Sequence, residues 1–279
     1  MAKKLLVTEK PSVAMEFAKA LKLNTSRKNG YLESDEWIIT WCVGHLVTMS
    51  YPEKYDENLK KWRLDTLPFI PKEWKYEIIP QVENQFNIIK QLMQREDISE
   101  IYNAGDSGRE GEYIQRLVFM MAHPNPNADM KRVWIDSQTE EEILKGIREA
   151  KELSYYDSLA DSAYLRAKED YLIGINFSRL LSIIFGRRLA KQLEEERVSI
   201  SVGRVMTCVL GMVVMREREI RNFKKTKYYK ISGEFGENDF FRAEWKVSEG
   251  SKMFESPYLY NETGFKKEEI ANKFIDSLK

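Results

Sequence analysis

Residues 102–112 read YNAGDSGREGE, and this run decides the fold. It sets Asp106, Arg109, Glu110, Glu112 and three glycines between an apolar lead-in, Ile101-Tyr102, and a run whose apolar positions Ile114, Leu117 and Val118 recur at helical spacing. The pattern predicts a strand, then a turn in which Gly105 and Gly108 permit tight or left-handed backbone, then a helix opened by Glu110. Carboxylates in such a turn project from the C-terminal edge of a strand, where open α/β sheets bind ligands.

Working outward, residues 4–8 (KLLVT) are a second buried-type strand ending on Glu9 and Lys10, with Pro11 and a helix after them in which Ser12 is the expected cap. Residues 37–43 (WIITWCV) are a third strand, closed by Gly44-His45-Leu46. Residues 50–75 are polar and carry Pro52, Pro68 and Pro71 with aromatic anchors at Trp62, Phe69 and Trp74, which predicts an ordered loop. A helix over 85–94, strands at 100–103 and 132–135, and a helix capped by Thr139 and Glu142 continue the alternation. Strands alternating with helices predict an α/β fold with a mostly parallel sheet, and that sheet can bring Glu9 and the 106–110 acids to one edge.

Composition narrows the classes. The chain has 279 residues, 43% hydrophobic, and its 44 basic and 44 acidic side chains cancel, so any surface for a polyanion must be local. Cys42 and Cys208 lack zinc or disulfide spacing, and His45 and His123 are the only histidines, so any metal is expected to be a hard cation held by carboxylates. No apolar run reaches the ~20 residues of a membrane span, and the start MAKKLLVTEKPS has too short an apolar core for a secretory signal; a cytoplasmic protein with no membrane partner is expected.

Glu9, Asp106 and Glu110 are oxygen ligands suited to Mg²⁺, and Lys10 and Arg109 would balance phosphate charge. The same residues also fit a solvated acidic turn at a helix start, where the dipole favours carboxylates. His45 reads either as a phosphate or carboxylate contact or as a structural hydrogen-bonder. Residues 154–185 are strongly helical; Arg166 and Asp170 lie one turn apart and can pair. Gly203 and Arg204 precede a further helix and can meet a phosphate together. Residues 228–246 alternate as two strands of a hairpin, YYKISGEF and DFFRAEW, before a short polar helix.

Three stretches, Glu9-Lys10-Pro11-Ser12, Val43-Gly44-His45-Leu46 and Asp106-Ser107-Gly108-Arg109-Glu110-Gly111-Glu112, together resemble the Toprim domain of type IA DNA topoisomerases, nearest the bacterial topoisomerase III branch. The resemblance implies a Toprim domain over residues 1–152, part of a helical DNA-binding domain over 153–223 and the start of a β-rich arch over 224–279. It implies a Mg²⁺ site on Glu9, Asp106 and Glu110, a catalytic role for Glu9, Lys10 and Arg109, and single-stranded DNA as partner. The run RAKEDYLIGINFSR resembles the segment that buttresses cleavage in that family, which makes Arg166, Asp170, Asn176, Ser178 and Arg179 DNA-binding candidates beside His45.

Gly203, Arg204, Val205 and Thr207 match the family's Gly-Arg-Val-Gln-Thr-Pro run, so Arg204 and Thr207 join the DNA-binding set, while Met206 and Cys208 replace the glutamine and proline. Many relatives have a second aspartate where Gly108 stands, so one metal ligand is missing here. The family's nucleophile is a tyrosine followed closely by Arg-Thr; no tyrosine here has that context, so the chain is expected to hold the metal and phosphate half of a site and to relax no DNA alone. Two rival readings share the motifs: a Toprim-type primase or nuclease, and a non-catalytic single-stranded DNA-binding accessory protein.

Overall fold

A computed structural model describes residues 2–236 and 241–278. The alternation expected from the sequence runs as β1 (Lys3–Thr8), α1 (Pro11–Ala20), β2 (Ser26–Lys28), β3 (Tyr31–Glu33), β4 (Trp37–Trp41), β5 (Val47–Met49), β6 (Tyr76–Ile78), α2 (Glu83–Met93), β7 (Ile98–Ala104), α3 (Arg109–Ala122), β8 (Asp129–Arg132), α4 (Glu140–Arg148) and β9 (Lys151–Glu152). Seven of these strands form one sheet in the order β2-β3-β4-β1-β7-β8-β9. The inner strands β4, β1, β7 and β8 are parallel, and the edges are antiparallel.

Both faces of the sheet are covered, which is why its inner strands read as continuous apolar runs. Side chains alternate between the faces: Leu5, Val7, Ile38 and Ile101 join the core under α2 and α3, while Leu6, Ile39 and Tyr102 join the core under α1 and α4. The first crossover carries the chain from β1 to β4 on one side, and the second carries it back across to β7 on the other. The sheet therefore changes winding direction between β1 and β7, the position at which open α/β sheets open a crevice beyond the strand ends. Thr8 pairs in register with Ala104, so Glu9 and the 105–106 turn leave the sheet side by side.

Two local expectations differ from the structure. The fourth inner strand is Asp129–Arg132 and not 132–135, because the ladder with β7 is made by residues 129–132 while the apolar Val133 follows it into the core. Helix α1 begins with Pro11 at its first position and Lys10 as the capping residue, without a side-chain cap; Ser12 lies inside the helix. Thr139 does cap α4, accepting from the Glu142 amide.

Helix α5 (Asp157–Leu193) is 37 residues long, about 55 Å at the helical rise, and begins and ends later than the 154–185 read from the sequence. It buries Ala160 and Ala163 next to α3 and then carries the chain away from the sheet. The chain turns back at Glu194, which adopts a left-handed conformation, and residues 196–203 run along the helix. A stripe of small residues at four-residue spacing makes room for this return. The Ser182 hydroxyl accepts from the Ile200 amide at 2.7 Å, and Ser178 accepts from the Val202 amide at 2.8 Å. A Cβ on Gly186 would come within 2.7 Å of the Val198 carbonyl. Four residues of helix rise about 6 Å and two of extended chain about 6.6 Å, so the two runs stay in step.

The described residues form two compact units, 1–209 and 210–279. Helix α6 (Arg204–Arg221) starts in the first. The second contains β10 (Tyr229–Lys230), β11 (Ser232–Phe235), β12 (Phe241–Glu244), β13 (Leu259–Asn261), β14 (Gly264–Phe265) and α7 (Glu268–Asp276). Strands β11 and β12 form the expected hairpin, of which Asp239 and Phe240 lie outside the described residues; β10, β14 and β13 form a separate sheet around Leu259, Phe265 and Ala271.

Candidate active site

Glu9 follows β1 directly and is only 9% exposed. Its Oε2 accepts from the Asp106 backbone amide at 3.2 Å, fixing the start of the second motif to the end of the first. Lys10 Nζ lies 3.2 Å from Asp106 Oδ2 and 3.7 Å from Glu9 Oε1, so one ammonium serves both carboxylates. The hydrogen bond and charge of Asp106, with the charge of Glu9, raise the Lys10 pKa, so Lys10 stays cationic at neutral pH. On the first turn of α3, Glu110 Oε1 lies 2.9 Å from His45 Nε2.

Glu9, Asp106, Arg109, Glu110, Arg166 and Asp170 line a single cavity of about 680 Å³. The side chains of Arg109 and Arg166 make no hydrogen bond or ion pair among the described residues, which leaves two guanidinium groups available to a phosphate.

The glycines of the motif act through space and not through left-handed backbone. Gly108 is extended, and a Cβ there would meet nothing within 4 Å. A Cβ on Gly111 would come within 2.2 Å of the Asp106 carbonyl oxygen, and one on Gly105 within 2.7 Å of Gln115. Close packing of the turn onto α3 requires the glycines at 105 and 111.

Beneath the turn is a residue the sequence reading passed over. Arg132, fully buried at the end of β8, donates to Glu112 Oε2 at 2.8 Å, to the Gly105 carbonyl at 2.8 Å and to the Asp106 carbonyl at 2.9 Å. Burial lowers the Arg132 pKa and the adjacent Glu112 carboxylate opposes that. Arg132 thus ties the backbone of the acidic turn to α3. The signal was the second glutamate of the motif: Glu112 faces inward on α3 beside apolar neighbours and needs a buried cation.

The comparisons bear on what this arrangement is for. The family model for the Toprim domain matches residues 4–137, and that for DNA topoisomerase matches residues 154–279. DNA topoisomerase 3 of Bacillus thuringiensis (strain Al Hakam) is 40% identical over 234 residues, 84% of this chain and 30% of the relative. DNA topoisomerase 3 of Staphylococcus aureus (strain MRSA252) is 39% identical over 231 residues, 82% of this chain and 30% of the relative. The chain belongs to the type IA DNA topoisomerase family. It spans about a third of the length of the topoisomerases it matches.

Within this topoisomerase family member, the remaining candidates fall into two groups. Asp170 holds Arg204 through two contacts, 2.9 and 3.1 Å, in place of the Arg166 pairing expected from their spacing. The hydrogen bond from Arg204 lowers the Asp170 pKa against the opposing effect of burial, with smaller help from the charge of Arg166. Thr207, one turn into α6, is exposed. Asn176, Ser178 and Arg179, expected near DNA, are engaged within the chain. The Asn176 amide brackets Phe69, donating to its carbonyl at 2.9 Å and accepting from its amide at 2.6 Å. Ser178 holds the return segment, and Arg179 Nη1 donates to the Leu59 carbonyl at 2.8 Å. These three side chains fasten the 50–75 loop and the 196–203 segment to α5.

Proposed function

We propose that this chain supplies the metal and phosphate half of a type IA topoisomerase site, which acts without ATP. In such a site a tyrosine from outside these residues attacks a phosphodiester of single-stranded DNA, the 3′-oxygen leaves, a second strand passes and the break is resealed. The observation that carries the reading is the convergence of Glu9, Asp106, Arg109 and Glu110 from two adjacent strand ends onto one cavity, with Lys10 bridging the carboxylates of Glu9 and Asp106. The topoisomerase match outside the Toprim region favours this over a Toprim primase or nuclease.

In this reading Lys10 and Arg109 stabilise charge on the phosphate, and Glu9, held by the Asp106 amide, assists transfer of the proton released by the attacking tyrosine to the departing 3′-oxygen. Lys10 moves from its carboxylates to the phosphate when DNA enters. Arg132 and Glu112 keep the turn in place while the charges redistribute. Asp170 aims Arg204 toward the backbone beyond the cleaved bond, with Thr207 and Arg166 as further contacts. His45 orients Glu110.

The donor set fits Mg²⁺ in the form that takes one or two protein carboxylates: Glu9 and Asp106 are oxygen donors sharing a lysine that a cation can replace. Among the described residues no three His, Cys, Asp or Glu side chains form a ready metal cluster, and Gly108 adds no ligand. Glu9 and Asp106, with Glu110 if released from His45, would hold the ion, which supplies Lewis-acid charge to the phosphate. We further propose the division into a Toprim domain (1–152), helical domain (153–223) and start of the arch (224–279), and a cytoplasmic location. No helix among the described residues is long and apolar enough to cross a membrane.

The test is binding of a fluorescent single-stranded oligonucleotide by the intact chain, with plasmid relaxation alongside. Binding weakened about tenfold by Arg109→Ala, an upward Tm shift with Mg²⁺ that Asp106→Asn removes, and no relaxation are expected. Relaxation by the chain, or binding indifferent to Mg²⁺, Glu9→Ala and Arg109→Ala, would overturn the reading.

A further inference from the structure

A second cavity, about 800 Å³, opens where residues 60–62, the last turns of α5 and the return segment meet. Its charged lining is Lys60, Lys61, Arg187 and Arg197 against the single carboxylate of Glu196. None of the four cations belongs to the site around Asp106.

Trp62 stands among them, and its environment is unusual for a tryptophan. The indole is 44% exposed, although the neighbouring anchors of the same loop, Phe69 and Trp74, are packed on the protein. The Arg179 guanidinium lies 5.5 Å from the centroid of the Trp62 ring. Arg179 is itself 3% exposed and fixed by the Leu59 carbonyl and, at 3.7 Å, by Glu53. A buried cation with two partners of its own thus backs one part of the ring while the rest faces solvent. The arrangement holds a large flat aromatic surface in place at little further entropy cost on binding.

We propose that this cavity is a stacking subsite for single-stranded nucleic acid, with an unpaired base on the Trp62 indole and the flanking phosphates against Lys60, Lys61, Arg187 and Arg197. The inference rests on the reading of the chain as acting on single-stranded DNA, and adds a second point of attachment to it. An exposed aromatic among cations matches the two components of sequence-independent single-strand binding: π-faces for bases and a basic track for the backbone. A duplex keeps its base faces stacked and cannot use the indole. An acidic peptide would engage the cations and leave the indole unused.

The experiment is fluorescence anisotropy of a labelled oligo-dT with the intact chain, comparing wild type, Trp62→Ala, Trp62→Phe and Lys60→Ala/Lys61→Ala, and comparing oligo-dT with an abasic oligomer of equal length. Loss of one base–aromatic stack predicts about five- to fiftyfold weaker binding for Trp62→Ala, largely restored in Trp62→Phe. The lysine variant should show a shallower dependence of binding on salt. Wild type should bind the abasic oligomer about as poorly as Trp62→Ala binds oligo-dT. If Trp62→Ala proves unstable, the abasic comparison in wild type decides. Equal wild-type affinity for abasic and normal oligomers overturns the subsite alone. Failure of wild type to bind either oligomer overturns the subsite together with the reading it rests on.

Discussion

At the residue scale the acidic turn depends on a buried pair whose two members come from different elements. Arg132 and Glu112 are both fully buried, and Arg132 also holds two carbonyls of the turn. Arg132→Met leaves Glu112 with only Arg116, at 2.7 Å, as its counter-ion. Removing one partner of a buried ion pair typically costs ~3–5 kcal/mol, so a urea titration should show a loss of about 3 kcal/mol or more. Arg132→Met/Glu112→Leu should recover part of it, since two apolar groups leave no uncompensated charge; a double variant no more stable than Arg132→Met would mean that the carbonyl contacts, and not the pair, are what count. The two inner glycines make a sharper contrast. Gly111→Ala forces a Cβ against the Asp106 carbonyl and should cost about 1–3 kcal/mol with loss of Mg²⁺ response, whereas Gly108→Ala has open space and extended backbone and should leave stability within ~0.5 kcal/mol of wild type.

At the scale of elements, the return segment docks on α5 through Gly186, Ser182 and Ser178, and the run ends where Asp170 grips Arg204. The stripe was present in the sequence as small residues at four-residue spacing, but the apolar period drew the reading to the other faces of the helix. The same bias shifted the fourth inner strand toward Val133, when backbone pairing with β7 sets its position. Conversely, Leu5, Leu6 and Val7 and the core of the 100–103 strand were legible because strands buried on both faces leave no alternative for such residues. The Asp170–Arg204 tie has a pH signature. Arg204 depresses the Asp170 pKa, so the tie is complete above the ordinary aspartate value and is lost as pH falls through the lower folded value. Amide exchange over residues 203–207 should therefore stay slow down to about pH 4 and accelerate below it. Asp170→Asn should show the fast exchange already at pH 7; identical exchange in the two proteins at pH 7 would mean that the start of α6 does not depend on the tie.

At the scale of the whole molecule, the sheet has the candidate site at one edge and ion pairs at the other. The carboxyl ends of β1 and β7 carry Glu9 and Asp106, which the register of those strands brings together although 97 residues separate the bonded pair. The alternation of strands and helices already allowed both acids to reach one sheet edge; that they are immediate neighbours depends on which strands pair, which spacing does not give. At the opposite edge Lys3, Glu33, Arg95 and Asp97 join β1, β3 and the entry to β7. Lys3, through its hydrogen bond, is the leading cause holding the Glu33 pKa below the usual carboxylate range, and the hydrogen bond from Arg95 does the same for Asp97; burial opposes both. Each carboxyl binds its proton more readily in the unfolded chain than in the folded one. The stability they contribute is thus fully present above the ordinary carboxylate values and declines as pH falls through the depressed ones. Urea midpoints of the intact chain should hold steady from neutral pH to about pH 5 and then drop toward pH 3. Glu33→Gln/Asp97→Asn should lower the midpoint at pH 7 and flatten the acid limb, because the groups that titrate have been removed. If the double variant instead reproduced the full acid slope of wild type, the proton-linked loss would have to be assigned to other carboxylates held below their ordinary values, such as Glu100 and Asp170.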